Sequence, residues 1–225
     1  MKLRFLALAS LLFLISCTSS TNSTDFIEKV NGRYLFNADE TIEIYFKETK
    51  LFAKWRGYNA IEPIKVNDST FYIKEMNEKL VFVFGPETHI KLAFKKEHKG
   101  KEYKFTKLKK GSKTPREYFD DNQFELALKG YLEIQQKDSL SMLIKESSLN
   151  SLGYQYIRSK KLNKALELFK INTALYPESS NTYDSTADVY LRMKDTISAI
   201  EFYKKALAIN PENRSSKRML KKITE

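Results

Sequence analysis

The chain has 225 residues, with 39 Lys and Arg against 28 Asp and Glu, a formal net charge of +11. Hydrophobic residues at 42%, charged residues at 30% and only 7 Gly and 5 Pro exclude wholesale disorder, collagen-like repeats and a polytopic membrane protein. A single cysteine excludes a disulfide framework and a four-thiolate zinc site, and the length admits one medium domain or two small ones at roughly 100–200 residues each.

Met1 to Cys17 has a short basic start (Lys2, Arg4), an apolar run from Phe5 to Ile15, then Ser16-Cys17. The run is too short to span a bilayer as a helix and has the make-up of a secretory signal. Leu14-Ile15-Ser16-Cys17 resembles the bacterial lipobox, whose cysteine is acylated and becomes the mature N-terminus. The resemblance implies a signal peptide over 1–16 and lipid on Cys17, and the polar, Ser/Thr-rich composition of Thr18 to Asp25 predicts a flexible tether over 17–26. No Asp follows Cys17, and the resemblance to lipoproteins lacking that residue implies the outer membrane of a bacterial envelope, at its periplasmic face, as the expected destination.

Residues 27–110 carry a period of two. Ile42, Ile44 and Phe46 share one face of Thr41–Lys47, as a half-buried strand requires. Further runs follow at Leu51–Trp55, Ile61–Val66, Thr70–Lys74, Lys79–Phe84, Ile90–Lys95 and Tyr103–Lys107. Turn chemistry separates them at Asn37-Ala38-Asp39, Asn67-Asp68, Met76-Asn77-Glu78 and Gly85-Pro86. About eight such strands predict an antiparallel meander curled into a barrel or half-barrel. Gly32-Arg33-Tyr34 and Lys65–Phe71 resemble the lipocalin-like accessory domain of β-lactamase-like serine hydrolases, which implies no catalytic residues here. Trp55, Tyr58 and Phe71 are candidates to line a barrel cavity; the alternative is that they simply fill it.

Residues 112–225 repeat. Leu149, Leu152-Gly153, Tyr156, Ala165, Phe169 and Pro177 recur 34 residues later as Tyr183, Thr186-Ala187, Tyr190, Ala199, Tyr203 and Pro211. This pattern resembles the tetratricopeptide repeat (TPR), with small residues where helices cross, aromatics between layers and a closing Pro. Complete repeats are assigned to 146–179 and 180–213, with Asn163 and Asp195 as expected caps of the second helices. A partial repeat covers 114–145, started by the Thr114-Pro115-Arg116-Glu117 capping box, and a terminal helix covers 215–223. The expected architecture is therefore α+β in two segregated parts, with a small antiparallel β-barrel or half-barrel followed by an all-α array of helical hairpins. The change of period around Lys109–Lys113 further predicts that the halves fold independently.

The TPR resemblance implies a concave groove lined by the second, fifth, ninth and twelfth positions of each first helix. These are Ser147, Asn150, Tyr154 and Ile157, then Asn181, Asp184, Asp188 and Leu191. Asn150, Tyr154, Asn181, Asp184 and Asp188 are the candidate partner-binding residues, and the two aspartates point to a neutral or basic segment. No Ser-x-x-Lys, Gly-x-Ser-x-Gly, P-loop, Rossmann glycine motif or His-Glu-x-x-His occurs, and His89 and His98 are the sole histidines. No catalytic residue, cofactor or metal is therefore assigned, and nucleic acid is a poor partner for a secreted lipoprotein. Ten lysines against Glu97 and Glu102 make Lys91–Lys113 a basic segment, suited either to an anionic membrane surface or to a solvated strand rim. The expected function is non-catalytic: a lipid-anchored scaffold whose TPR groove holds a peptide or partner protein. The rival is a carrier of a small apolar ligand in the β-barrel, and a less favoured third reading is a hydrolase-associated protein. An open lumen would favour the carrier, a packed lumen with an empty helical groove the scaffold.

Overall fold

The computed structural model describes residues 21–137 and 144–225. Helix α1 (Thr24–Val30) starts on Ser23, whose Oγ accepts from the Phe26 amide at 3.2 Å. Phe26 and Val30, one helical turn apart, are both buried in the sheet domain that follows. This corrects the expectation of a flexible tether through residue 26. The cap and the apolar pair turn the end of that segment into part of the core, and Asn22 is tied by its Nδ2 to the Thr49 carbonyl at 2.8 Å.

Among the described residues there are nine strands, β1 (Gly32–Leu35), β2 (Thr41–Lys47), β3 (Lys50–Trp55), β4 (Tyr58–Ile61), β5 (Ile64–Lys65), β6 (Thr70–Ile73), β7 (Glu78–Val83), β8 (His89–Leu92) and β9 (Lys104–Lys107). They form one antiparallel sheet in the order β4-β3-β2-β1-β9-β8-β7-β6-β5. Its two edges, β4 and β5, are separated in sequence only by Glu62 and Pro63. They are two halves of one bent segment, the first pairing with β3 and the second with β6, so the meander curls round until the chain itself links its edges. Pro63, which has no amide to donate, marks the bend where neither partner needs one. Arg56 and Gly57 join β3 to β4 with φ of 47° and 85°, the two positive values of a type I′ hairpin turn.

The helical half comprises α2 (Pro115–Asp120), α3 (Phe124–Lys137), α4 (Glu146–Arg158), α5 (Leu162–Leu175), α6 (Ser180–Arg192), α7 (Thr196–Ile209) and α8 (Arg214–Thr224). They pack as hairpins α2/α3, α4/α5 and α6/α7, with α8 closing on α7. Gly153 is small for the expected reason: a Cβ there would overlap the Phe169 ring. The same holds at Gly130, where a Cβ would lie 2.9 Å from Pro115 Cγ. Asp195 caps α7, accepting from the Ser198 amide at 3.0 Å, whereas Asn163 lies inside α5 behind Lys161 and caps nothing.

The halves are joined more closely than the change of period suggests. Ala38, at the tip of the β1–β2 turn, is 1% exposed and packs in the helical core with Phe119, Ala127 and Tyr131. Its carbonyl accepts from the Arg116 amide at 3.2 Å, and Tyr131 donates to Asp39 at 3.4 Å. Glu117 serves both halves. Its Oε2 accepts from the Thr114 amide at 2.8 Å, completing the capping box, and its Oε1 takes Arg33 Nη2 of β1 at 2.6 Å. Expected outcomes separate these roles: Glu117→Ala loses cap and ion pair and should cost about 1–2 kcal/mol, whereas Glu117→Gln keeps the box and should cost under about 1 kcal/mol. Urea unfolding of the two variants checks this; equal losses would mean that the capping-box contact of Glu117 adds little beyond the Arg33 pair.

Candidate functional site

The concave-face candidates come together, but two of them are already spoken for. Asp184 is only 7% exposed, and Ser216 at the start of α8 donates its hydroxyl to the carboxylate. Burial holds the Asp184 carboxyl above the ordinary carboxylate range, a rise that hydrogen bonds from Ser216 and Ser215 partly offset. Asp184 is thus a latch for the terminal helix and not a free ligand group. The groove register placed it correctly on α6 but could not show that α8 folds over it.

Asp188 is half-buried and accepts two phenol hydrogens, from Tyr203 at 2.8 Å and from Tyr154 at 3.1 Å. It therefore ties α4 to α7 across the α6 layer. Burial, with the Asp188 carboxylate also contributing, pushes the Tyr154 phenol up to about 12 and raises Tyr203 further. Both phenols stay protonated donors at neutral pH. Tyr154 also stands edge-on to Phe169 at 5.4 Å, so its apolar face is used inside the repeat as well. Asn181 donates to Glu146 Oε1 at 2.8 Å, linking the first turns of α6 and α4. Asn150 Oδ1 is buried without a hydrogen-bond partner among the described residues. Ser147 and Asn181 remain exposed. Sequence reasoning missed Ser216 and Tyr203 as partners of the aspartates. The signal was available for Ser216, which lies 34 residues after Thr182, a buried position of the preceding first helix.

The three barrel candidates do not line a common cavity. Trp55 is 2% exposed, edge-on to Phe105 at 5.6 Å, and its Nε1 donates to Glu40 at 2.6 Å. Phe71 stacks on Phe26 of α1 at 5.6 Å and meets Phe82 edge-on. Tyr58 is 52% exposed and lies outside this core. The lumen is filled by side chains, with α1 supplying Phe26 as a plug between Phe46, Phe71 and Phe82.

In the basic segment, Lys91 pairs with Glu102 at 2.6 Å and Lys95 with Glu78 at 3.4 Å. His98, buried, meets the same Glu78 at 3.1 Å and the Tyr103 ring, which fixes the β8–β9 loop. Among the described residues, no group of three or more His, Cys, Asp or Glu is placed to hold a metal, and no helix is long and apolar enough to cross a membrane. Cys17 and the signal-like segment lie outside the described residues.

Residues 181–213, which span α6 and α7, match the family model for the tetratricopeptide repeat. The C-terminal region carries a TPR module. No curated protein sequence matches the chain. Among solved structures, the first TPR of Spaghetti (RPAP3) bound to the HSP90 peptide SRMEEVD is 19% identical, covering 49% of this chain and 84% of that one, with a TM-score of 0.34. The second TPR domain of human RPAP3 in complex with an HSP70 peptide is 15% identical over 49% of this chain and 89% of its own, at TM-score 0.35. MamA is 19% identical over 50% and 63%, at TM-score 0.33.

Asp184→Lys should cost about 2–4 kcal/mol, because it buries a cation where an acceptor for Ser216 was. The folded state holds the Asp184 proton more tightly than the unfolded chain does. Its contribution to stability is therefore complete below the ordinary carboxylate value and is lost as pH rises through its raised folded value. Asp184→Asn should remove that pH-dependent component, seen as a flatter stability profile above pH about 4 in thermal melts. An unchanged profile would assign the effect to another carboxyl, such as Asp39, also raised by burial.

Proposed function

We propose that this chain is a lipid-anchored bacterial envelope protein that works without catalysis, as a scaffold whose TPR module engages a partner protein. The packed β-domain carries this reading: α1 and the inward aromatics fill the space a carried ligand would need. That domain then serves as a rigid base for the helices, through Ala38 and the Arg33–Glu117 pair. The anchor is Cys17, with the short polar stretch before Asn22 as the link to the folded part. Acylation by more than one chain holds a protein stably on a membrane, at about 0.8 kcal/mol per buried methylene.

Partner contact on the concave face is read at Ser147 and Asn181, which are exposed, and at the partly buried Asn150, whose Oδ1 lacks a partner among the described residues. Asp188 and Tyr154 lie beneath them as support. A photo-cross-linking residue at Ser147, in the full chain expressed in its own envelope, should give protein adducts of discrete mass. Cys17→Ala should shift the protein out of the membrane fraction. Absence of adducts at Ser147 would remove the partner from this face, and an unchanged membrane fraction would remove the anchor.

A further inference from the structure

A second surface is better supplied with free charge than the concave face. A cleft of about 700 Å³ runs between the outer side of the sheet and the first helical hairpin. Leu35 of β1 and Leu108 line one wall, and Leu126 and Ile134 of α3 line the other. Leu126 is 46% exposed, so an apolar strip stands open to solvent here. Lys104, Lys107, Lys109, Lys113 and Lys129 border the strip, against the single carboxylate of Glu133.

Two of these cations are engaged. Lys113 pairs with Asp121 at 2.5 Å, and Lys107 donates to the Lys29 carbonyl. Lys104, Lys109 and Lys129 are exposed and have no ion pair among the described residues. They come from three separate elements: β9, the β9–α2 connection and α3. Three cations bordering one apolar strip suit an occupant that carries carboxylates and apolar side chains together. The sheet wall is also closed to strand addition, since β1 and β9 are each paired on two sides. Recognition here must run through side chains.

We propose that this cleft binds an extended acidic segment of a partner protein, with carboxylates against Lys104, Lys109 and Lys129 and apolar side chains between them on Leu35, Leu108 and Leu126. This assignment deepens the scaffold reading and rests on it. The remaining lysines of Lys91–Lys113 act at longer range: their field draws an acidic segment toward the cleft and is screened by salt.

The test uses the full chain in nanodiscs of zwitterionic lipid and a short fluorescein-labelled peptide of mixed Glu, Asp and Leu, followed by anisotropy. A copy with Lys in place of the acidic residues is the control. The acidic peptide should bind and its affinity should fall as salt is raised. Lys104→Glu with Lys109→Glu and Lys129→Glu should weaken it about ten-fold or more, whereas Lys204→Glu on α7, exposed and outside the cleft, should leave it unchanged. If the triple variant loses its native circular dichroism, the three Lys→Gln changes replace it under the same criterion. Undiminished binding by a folded triple variant overturns the assignment. So does displacement of the peptide by dodecyl phosphate that itself depends on the three lysines, which would make the occupant a small anionic amphiphile. Adducts at Ser147 with no peptide binding would defeat the cleft alone. Lysine-dependent peptide binding without such adducts would defeat the concave-face contact alone.

Discussion

The tip of the β1–β2 turn, seated in the helical core, is the contact on which the rest of the molecule depends. Ala38 contributes little area, but it is buried among Phe119, Ala127 and Tyr131, and its carbonyl is used by α2. A larger side chain would have to displace those rings, at a typical cost of about 1–3 kcal/mol. The neighbouring Arg33–Glu117 pair is 33% and 43% exposed, so its energy is modest, under about 1 kcal/mol. Burial therefore holds the halves together, and the ion pair adds little to it. The cleft between the sheet and α3 lies beside this junction, lined by Asn37, Pro115 and Tyr118 among others.

Closure of the sheet and filling of its lumen follow from a few residues. Splitting one segment around Pro63 lets it serve both edges, which leaves little unpaired strand to recruit another chain. Phe26 then enters from α1 and meets four other aromatic rings. A domain built in this way has its chemistry on the outside. The β-half orients the helices and presents lysines, and both tasks depend on rigidity more than on any interior site.

Much of this was legible in the sequence, and the omissions have physical causes. The strands could be read because Ile42, Ile44 and their counterparts alternate, and the helical repeats because steric demands at Gly153, Ala165 and Phe169 recur at a fixed spacing. Helix α1 was hidden because seven residues are too few for a period to show, and only Ser23 with Phe26 and Val30 betrays it. The junction was hidden because Asn37-Ala38-Asp39 has the composition of an ordinary exposed turn. Nothing local says that Ala38 meets residues some eighty positions further on. Asp184 and Asp188 were read from the register of α6, but their partners come from helices α4, α7 and α8, whose packing that register alone does not contain.

The distribution of charge explains why the two candidate surfaces differ. On the concave face the aspartates are committed, Asp184 to Ser216 and Asp188 to two tyrosines. Drawing either into a salt bridge with a ligand would first break hydrogen bonds that hold α8 and α7 in place. The cleft lysines have no such commitment: Lys104, Lys109 and Lys129 are solvated, and pairing them costs only side-chain order and partial desolvation. Each exposed pair is weak, roughly 0.2–1 kcal/mol, so charge alone would give little affinity. The strip of Leu35, Leu108 and Leu126 supplies the remainder, at about 25 cal/mol for each Å² of apolar surface covered. Selectivity then comes from needing both at once. A purely acidic chain would leave the leucines wet, and a purely apolar one would strip water from lysines without replacing it.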